Sequence, residues 1–465
     1  MYEEDLITKV LDKALSMGVD YALVRLQEKI YESVIADCGV LRNYGLNRIS
    51  GLGLYVIYEG GVGYSYTTSF DSNNILKVVE NAVSIAKSVK RFKKIGGYPS
   101  YKAVRDSYTV SVNEDPQDID PEDKAKLVLE VNKSSLRKSG IVSAVTRMAF
   151  EKDRKFLISS DGVEVEINII SIGFSHASVA KSGEIIERVG DSKTCISGYE
   201  FIRRNDWFNF VDELDMMAVK ASTARTPSPS SYVAIVDNDV VGLLLHEALG
   251  HASEGDLIVS GDSVLSSRIG ERIASESVTV VDEGVVDGGY PVPYDDEGIP
   301  KGKTVIINKG VLIGYLCSRE VATRLGLGLT GNGRAQDVMH NPLVRQTNYY
   351  MVGGDWDVEE LFEGIPYGIY LKGLGSRGGE VRPSVGTYTF SIGPSYIVRN
   401  GEVAELVRGV TVSGMILETL KEVDAVANDV KITTNVFGGC GKDMQSVRVG
   451  FGGPHIRVRK VVVGG

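Results

Sequence analysis

Residues 243–256, LLLHEALGHASEGD, hold two of the chain's five histidines and constrain the fold more than any other stretch. His246 is followed directly by an acid, Glu247, and His251 comes five positions after His246. Residues 232–236, then Asp237-Asn238, then 240–245 read as a strand, a helix N-cap and an almost wholly apolar helix of the kind that is buried. An acid and an imidazole on such a helix are costly to desolvate without partners. A metal ion is one such partner. Hydrogen bonding within the core or at a helix cap is the other.

In the H-E-x-x-H arrangement of zinc hydrolases the histidines lie four residues apart, a rotation of about 40° on a regular helix. Five residues rotate the second histidine by about 140°, away from the first. Both reach one ion only if the helix stops or bulges between them. Gly250, immediately before His251, is the residue type that most readily leaves helical geometry at a C-terminus. The helix is therefore predicted to end or distort at Leu249-Gly250, turning His251 back toward His246. A catalytic zinc site generally has three protein ligands and an open position. By residue type the third ligand comes from His340, His455, Cys317, Cys440, Glu254 or Asp256. Cys440 is the most attractive, because the glycines of FGGCGK (437–442) allow close backbone approach. The same glycines could equally mark a tight turn around an inert thiol.

At 465 residues, 43% hydrophobic and 24% charged, the chain is ordinary globular material with room for two or three cores. A formal charge of −10 argues against a general nucleic-acid binder. The basic run RFKK at 91–94 reads as a solvated helix end. The MYEEDLITKV start lacks the pattern of a secretory signal, and no apolar run approaches the roughly 20 residues that span a bilayer. Cys38, Cys195, Cys317 and Cys440 are scattered, with no C-x-x-C pair, so a reducing cytoplasm is the expected setting.

Residues 4–17 place apolar side chains at helical spacing. Strands are expected at 20–26, 28–37, 51–58 and 61–67, a helix at 73–89, a turn-rich connection containing Pro99, Pro116 and Pro121, and a helix at 122–136. Antiparallel strands follow at 142–150, 155–159, 163–175 and 185–192, with His176 an ordinary structural or surface histidine, then a helix at 206–224. The Pro/Ser break at 226–230 is the expected domain boundary. It divides the chain into an N-terminal α/β domain (1–226), helices packed on a sheet, and a C-terminal domain (231–465). The latter is rich in short, mostly antiparallel strands and carries the buried histidine helix. The expected class is α+β.

The sequence resembles the TldD/PmbA family of metallopeptidases, in particular the TldD-type subunit that keeps its metal ligands. The resemblance rests on HEALGHASEGD (246–256), RIGERIASESVTVVDEG (268–284), DDEGIPKGKTVIINKGVLIGYL (295–316), GNGRA (331–335), RQTN (345–348) and GGCGKDMQSVRVG (438–450). Gln346 departs from it, standing where the family pattern has methionine. The resemblance implies that His246, His251 and Cys440 bind one Zn2+ and that Glu247 is the catalytic acid/base. It implies cleavage of peptides or unfolded polypeptides inside a dimer cavity, as a homodimer or with a PmbA/TldE-type paralogue; from charge and the lack of a long apolar run, no nucleic-acid or membrane partner is expected. Arg345, His340 and Asn348 are candidate oxyanion donors on composition alone, and Glu254 and Asp256 could orient a ligand histidine or serve equally in capping or surface pairing. Two competing readings are a non-catalytic peptide-binding or regulatory subunit with a structural metal, and a cysteine hydrolase using Cys440 with His251 as base.

Overall fold

The computed structural model of the protein describes residues 2–90, 98–374 and 378–464, with side chains from Leu6 onward. The 91–94 run lies outside the described residues. The chain is α+β, and antiparallel pairing predominates.

The N-terminal half contains α1 (Tyr2–Ser16), β1 (Tyr21–Asp37), β2 (Val40–Tyr58), β3 (Gly61–Thr67), α2 (Ser72–Val89), β4 (Val104–Thr109), α3 (Pro121–Ser135), β5 (Ile141–Ser159), β6 (Val163–Ser182), β7 (Ile185–Cys195), α4 (Glu200–Arg204) and α5 (Trp207–Thr223). Among the described residues the strands form one sheet in the order β3-β2-β1-β5-β6-β4, with β7 also on β6. Because side chains alternate along a strand, even-numbered residues of β1 face the helices. Val24 packs in a cluster with Leu54, Val78 and Val83, and Ile30 and Val34 pack with Val128 and Leu214. Odd-numbered residues face the C-terminal half. Tyr21, Leu23, Leu157 and Val165 pack there with Tyr290 and Val292.

Further along that second face the residues are charged. Arg25, Gln27, Glu151 and Asp153 are buried, and each finds a partner. Gln27 Nε2 donates to Asp153 at 2.6 Å, Lys155 meets Asp296 at 2.8 Å, and Arg448 meets Glu151 at 2.8 Å. This explains where the strands depart from expectation. The segments predicted as 20–26 and 28–37 are one strand, as are 142–150 and 155–159. Gln27 and Glu151-Lys152-Asp153-Arg154 read as breaks, yet each polar side chain has a partner: Gln27 pairs with Asp153, Lys152 with Asp115 and Arg154 with Glu166 inside the N-terminal half, and Glu151 with Arg448 across the seam. β2 begins at Val40, earlier than expected, along the mostly polar run 40–50. β4 lies in the predicted connection and pairs parallel with β6.

In the C-terminal half, two larger sheets share the largest apolar cluster. One runs in the order Val311–Leu312, Lys303–Asn308, Val280–Glu283, Asn348–Met351, Gly450–Gly453, Lys431–Thr434. The other is centred on Ile456–Gly464, β8 (Ser230–Val236) and Tyr367–Leu371. β8 leads through Asp237, whose carboxylate accepts from Val240 N at 3.0 Å, into α6 (Asn238–Leu244). Val240, Val241, Leu244 and Leu245 are buried in the shared cluster, packed with Tyr349, Met351, Ile369 and Ile456. Gly242 lets the strand Gly450–Gly453 cross the helix closely: a Cβ there would lie 2.7 Å from Phe451 Cδ2.

Arg319 bolts the two halves together. Its guanidinium lies 4.7 Å from the Tyr21 ring centre and 4.1 Å from that of Tyr98, and it pairs with Asp161 at 2.6 Å. Burial opposes ionisation of Asp161, but the Ser159 hydroxyl and Arg319 outweigh it and hold its pKa below the usual aspartate value. A carboxylate with a depressed folded pKa contributes stability above its unfolded pKa and loses it as pH falls through the folded value. Arg319→Met, which strands Asp161, is expected to cost about 3 kcal/mol near neutral pH. It should lower the melting temperature measured by calorimetry, with a smaller deficit below pH 4, where Asp161 is protonated in the unfolded chain.

Candidate metal centre

The five-residue spacing of the histidines is met by a change of helix type. α6 passes at Leu245 into a π-helical turn, Leu245–Gly250, and then into a 3-10 turn, His251–Ser253. A π-turn closes i→i+5 contacts instead of i→i+4, so His246 and His251 come to lie one above the other. Their ring centres are 5.3 Å apart. The predicted distortion is present but begins earlier than Leu249-Gly250. Gly250 does not leave helical geometry (φ −61°, ψ −49°), and neither does His251.

Gly250 is required for space. A Cβ at this position would lie 2.2 Å from Gln346 Oε1. Gln346 is fully buried, and its Nε2 donates to the His246 carbonyl at 3.1 Å. The position that departs from the family pattern thus supports the histidine turn, a role its sequence context did not suggest.

Cys440 arrives on a short hairpin, Cys440–Lys442 paired with Gln445–Val447. Its Sγ lies 3.3 Å from His251 Nε2, and one donor atom from each of His246, His251 and Cys440 falls within 4.8 Å of the others. Among the described residues no other group of three His, Cys, Asp or Glu side chains converges in this way. His246 Nδ1 is buried without a hydrogen-bond partner. Burial pushes the Cys440 thiol up, but the His246 and His251 imidazoles outweigh it and bring its pKa down to about 5. Both histidine pKa values are raised: for His246 burial is outweighed chiefly by Cys440, for His251 by Glu254 and then Cys440. The pocket favours a thiolate beside two imidazoles, a donor set that suits a divalent cation. Glu247, half-buried, follows His246 on the same turn.

Behind His251 runs a chain of charge. His251 Nδ1 meets Glu254 Oε2 at 3.2 Å, and Lys442 Nζ meets Glu254 at 2.9 Å and Asp256 at 2.7 Å. Glu254 is fully buried. Burial alone would raise its pKa, but His251 and Lys442 bring it down to about 2. Lys442, two residues past Cys440, therefore ties the hairpin to the histidine segment. It lay within the GGCGKDMQSVRVG block but carried no assigned role.

The remaining sequence candidates are employed elsewhere. His340 pairs with Asp337 at 2.7 Å, and His455 sits between Asp429 at 2.7 Å and Tyr370 at 2.9 Å. Burial pushes the Cys317 thiol up to about 12. Arg345, fully buried, donates to the carbonyls of Cys440 and Gln445. Asn348, also fully buried, donates to the carbonyls of Glu283, Gly284 and Tyr290. Both are committed largely to backbone carbonyls, although Arg345 Nε keeps a buried N–H without a partner among the described residues. His176 is structural, buried between Thr146 at 2.8 Å and Ser178 at 2.9 Å.

Family models of the PmbA/TldA metallopeptidase match three stretches: its domain 1 at 22–86, its central domain at 114–226 and its C-terminal domain at 229–465. The chain belongs to the PmbA/TldD metallopeptidase family. A Methanothermobacter thermautotrophicus protein named a metalloprotease is 34% identical over 96% of each chain. A Saccharolobus solfataricus protein named a zinc metalloprotease TldD homolog is 30% identical over 98% of this chain and 99% of its own. The fold is also that of TldE from Thermococcus kodakarensis, with a TM-score of 0.80 at 16% identity, covering 99% of this chain and all of that one.

The close packing of Gly250 on Gln346 separates two accounts of that glycine. Gly250→Ala is expected to lower stability by about 1–3 kcal/mol through overpacking. In a Gln346→Ala background the same substitution should shift the melting temperature less than half as much. Equal shifts in both backgrounds would return Gly250 to a backbone role.

Proposed function

We propose that the protein is a zinc-dependent peptidase that hydrolyses peptides or unfolded polypeptides, with one Zn2+ per chain held by His246, His251 and Cys440. The observation that carries this reading is the convergence of those three donors, one with an orphaned buried nitrogen, beside an acid on the same turn. Zinc bound there would act as a Lewis acid on the scissile carbonyl and bring a water's pKa toward about 7.

The protein's own groups supply the rest. Glu247 accepts the proton of the attacking water and returns it to the departing amine, which leaves as the peptide C–N bond breaks. Glu254 holds His251 through Nδ1, fixing which imidazole nitrogen faces the ion. The thiolate lowers the net charge of the site relative to three neutral ligands. Substrates are extended chains, and the working unit is a dimer enclosing the sites in a cavity, either with a second copy or with a PmbA/TldE-type paralogue. The name of the Saccharolobus solfataricus relative supports zinc, and the TldE-like fold is compatible with such pairing. Among the described residues no helix is long and apolar enough to cross a membrane, and the setting proposed is the cytoplasm.

One observation favours a second reading. Cys440 Sγ, 3.3 Å from His251 Nε2 and with its pKa lowered to about 5, has the geometry of a thiolate–imidazolium pair in a cysteine hydrolase. Against it, Cys440 is only 3% exposed. Phenanthroline separates the two, since a thiol enzyme keeps its activity in the chelator.

Glu247→Gln is expected to retain about one zinc per chain by elemental analysis while losing at least a hundredfold in peptide degradation, in line with the size of general acid–base effects. Cys440→Ser should lose both metal and activity. Wild-type cleavage by Glu247→Gln would overturn the mechanism, and full metal content and activity in Cys440→Ser would overturn the site.

A further inference from the structure

Cys440 is the one proposed metal ligand that does not ride on the histidine turn, and its loop lies at the seam between the two halves of the chain. We infer that Glu151, on β5 of the N-terminal sheet, is a positioning residue for Cys440, acting through Arg448. The inference rests on the reading of His246, His251 and Cys440 as metal ligands.

Arg448 is the link. One edge of its guanidinium faces Glu151, with Nη2 donating to Oε2 at 2.8 Å and Nε lying 3.2 Å from both carboxylate oxygens. Its Nη1 donates to the carbonyl of Gly438, two residues before Cys440. The Arg448 carbonyl in turn accepts from Arg334 Nη2 at 2.7 Å. A guanidinium is a planar fork, so a carboxylate gripping one edge fixes where the other N–H groups point. Glu151 therefore aims Nη1 at the loop.

Removing the carboxylate alone has a specific consequence. Glu151 is 2% exposed and also lies 3.4 Å from Lys29 Nζ, so its loss leaves two cations at a buried seam with no anion between them. Arg448 then turns away and releases Gly438. Before Cys440 the loop is free to move on one side only: nothing lies within 4 Å of where a Cβ would stand at Gly438, whereas a Cβ at Gly439 would meet the Val447 carbonyl at 2.5 Å. The hairpin itself keeps its ties, since Arg345 still donates to the carbonyls of Cys440 and Gln445, so the change is confined to the approach through Gly438 and Gly439. The thiolate thus shifts with the backbone that leads into it, while the two histidines stay in place.

The test is cobalt substitution of the full-length protein. Thiolate ligation gives Co2+ a near-ultraviolet charge-transfer band that imidazole ligation does not, and affinity is measured by competition with a chromophoric chelator. Wild type should show the band. Glu151→Gln should bind Co2+ about 10- to 100-fold more weakly, the range for outer-shell partners of metal ligands, with a diminished or shifted band. Glu151→Asp, which keeps the charge but draws it back by one methylene, should fall in between and decides the matter if the glutamine variant fails to fold. Asp161→Asn, which breaks a different ion pair between the same halves at Arg319, should leave band and affinity unchanged while lowering the melting temperature. An unaltered band and affinity in folded Glu151→Gln or Glu151→Asp would overturn this role for Glu151, as would equal effects of Asp161→Asn. Absence of the band in wild type would instead overturn the metal reading on which the inference stands.

Discussion

Everything at the candidate site depends on one irregular helical turn. On a regular helix, residues five apart point in different directions. The π-turn Leu245–Gly250 brings His246 and His251 together without ending the helix. That turn is itself held in place. Gln346 donates to the His246 carbonyl, Gly250 leaves room for Gln346, and the Phe451 ring lies 5.8 Å from the ring of His246. π-turns are uncommon and concentrate at functional sites. Here the surrounding core supplies what stabilises the turn, since Leu245, Ala248 and Leu249 are all buried in the largest apolar cluster.

The second constraint is charge. A buried thiolate next to two imidazoles is tolerable only if neighbouring groups balance it. The two imidazoles face the thiolate, and the run Glu254, Lys442, Asp256 continues from His251 in alternating sign, joining the hairpin bearing Cys440 to the turn bearing the histidines. The same logic recurs at the seam between the halves, where Arg25, Lys155 and Asp296, and Lys29, Glu151 and Arg448, form compact groups with few loose ends. The loop bearing Cys440 is built into that seam, tied through Gly438 and Arg448 to a carboxylate from the N-terminal half.

Much of this was legible in the sequence. The apolar run after Asp237 announced a buried helix, and the pairing of HEALGH with the distant GGCGK block named the residues that converge. The helices of the N-terminal half fell close to their expected bounds because their apolar periodicity is regular. Legibility failed where a local pattern was overruled by distant partners. Gln27 and residues 151–154 look like strand breaks until their partners are seen: Asp153 for Gln27, Lys29 and Arg448 for Glu151, Asp115 for Lys152 and Glu166 for Arg154. Arg345 and Asn348 looked available by composition, but backbone carbonyls take the Asn348 amide and both Arg345 Nη groups. Gly250 was read as a conformational joint and proved to be a spacer. Nothing in the chain near Gly250 says that Gln346, almost a hundred residues later, lies against it.

The central claim is that the π-turn histidines and Cys440 share one ion, and X-ray absorption at the zinc edge of the metal-loaded protein tests it most directly. The predicted first shell has one sulfur at about 2.3 Å and two imidazole nitrogens at about 2.0–2.1 Å, with a light-atom ligand completing four-coordination. A shell of nitrogen and oxygen alone, or one with a single imidazole, would contradict it.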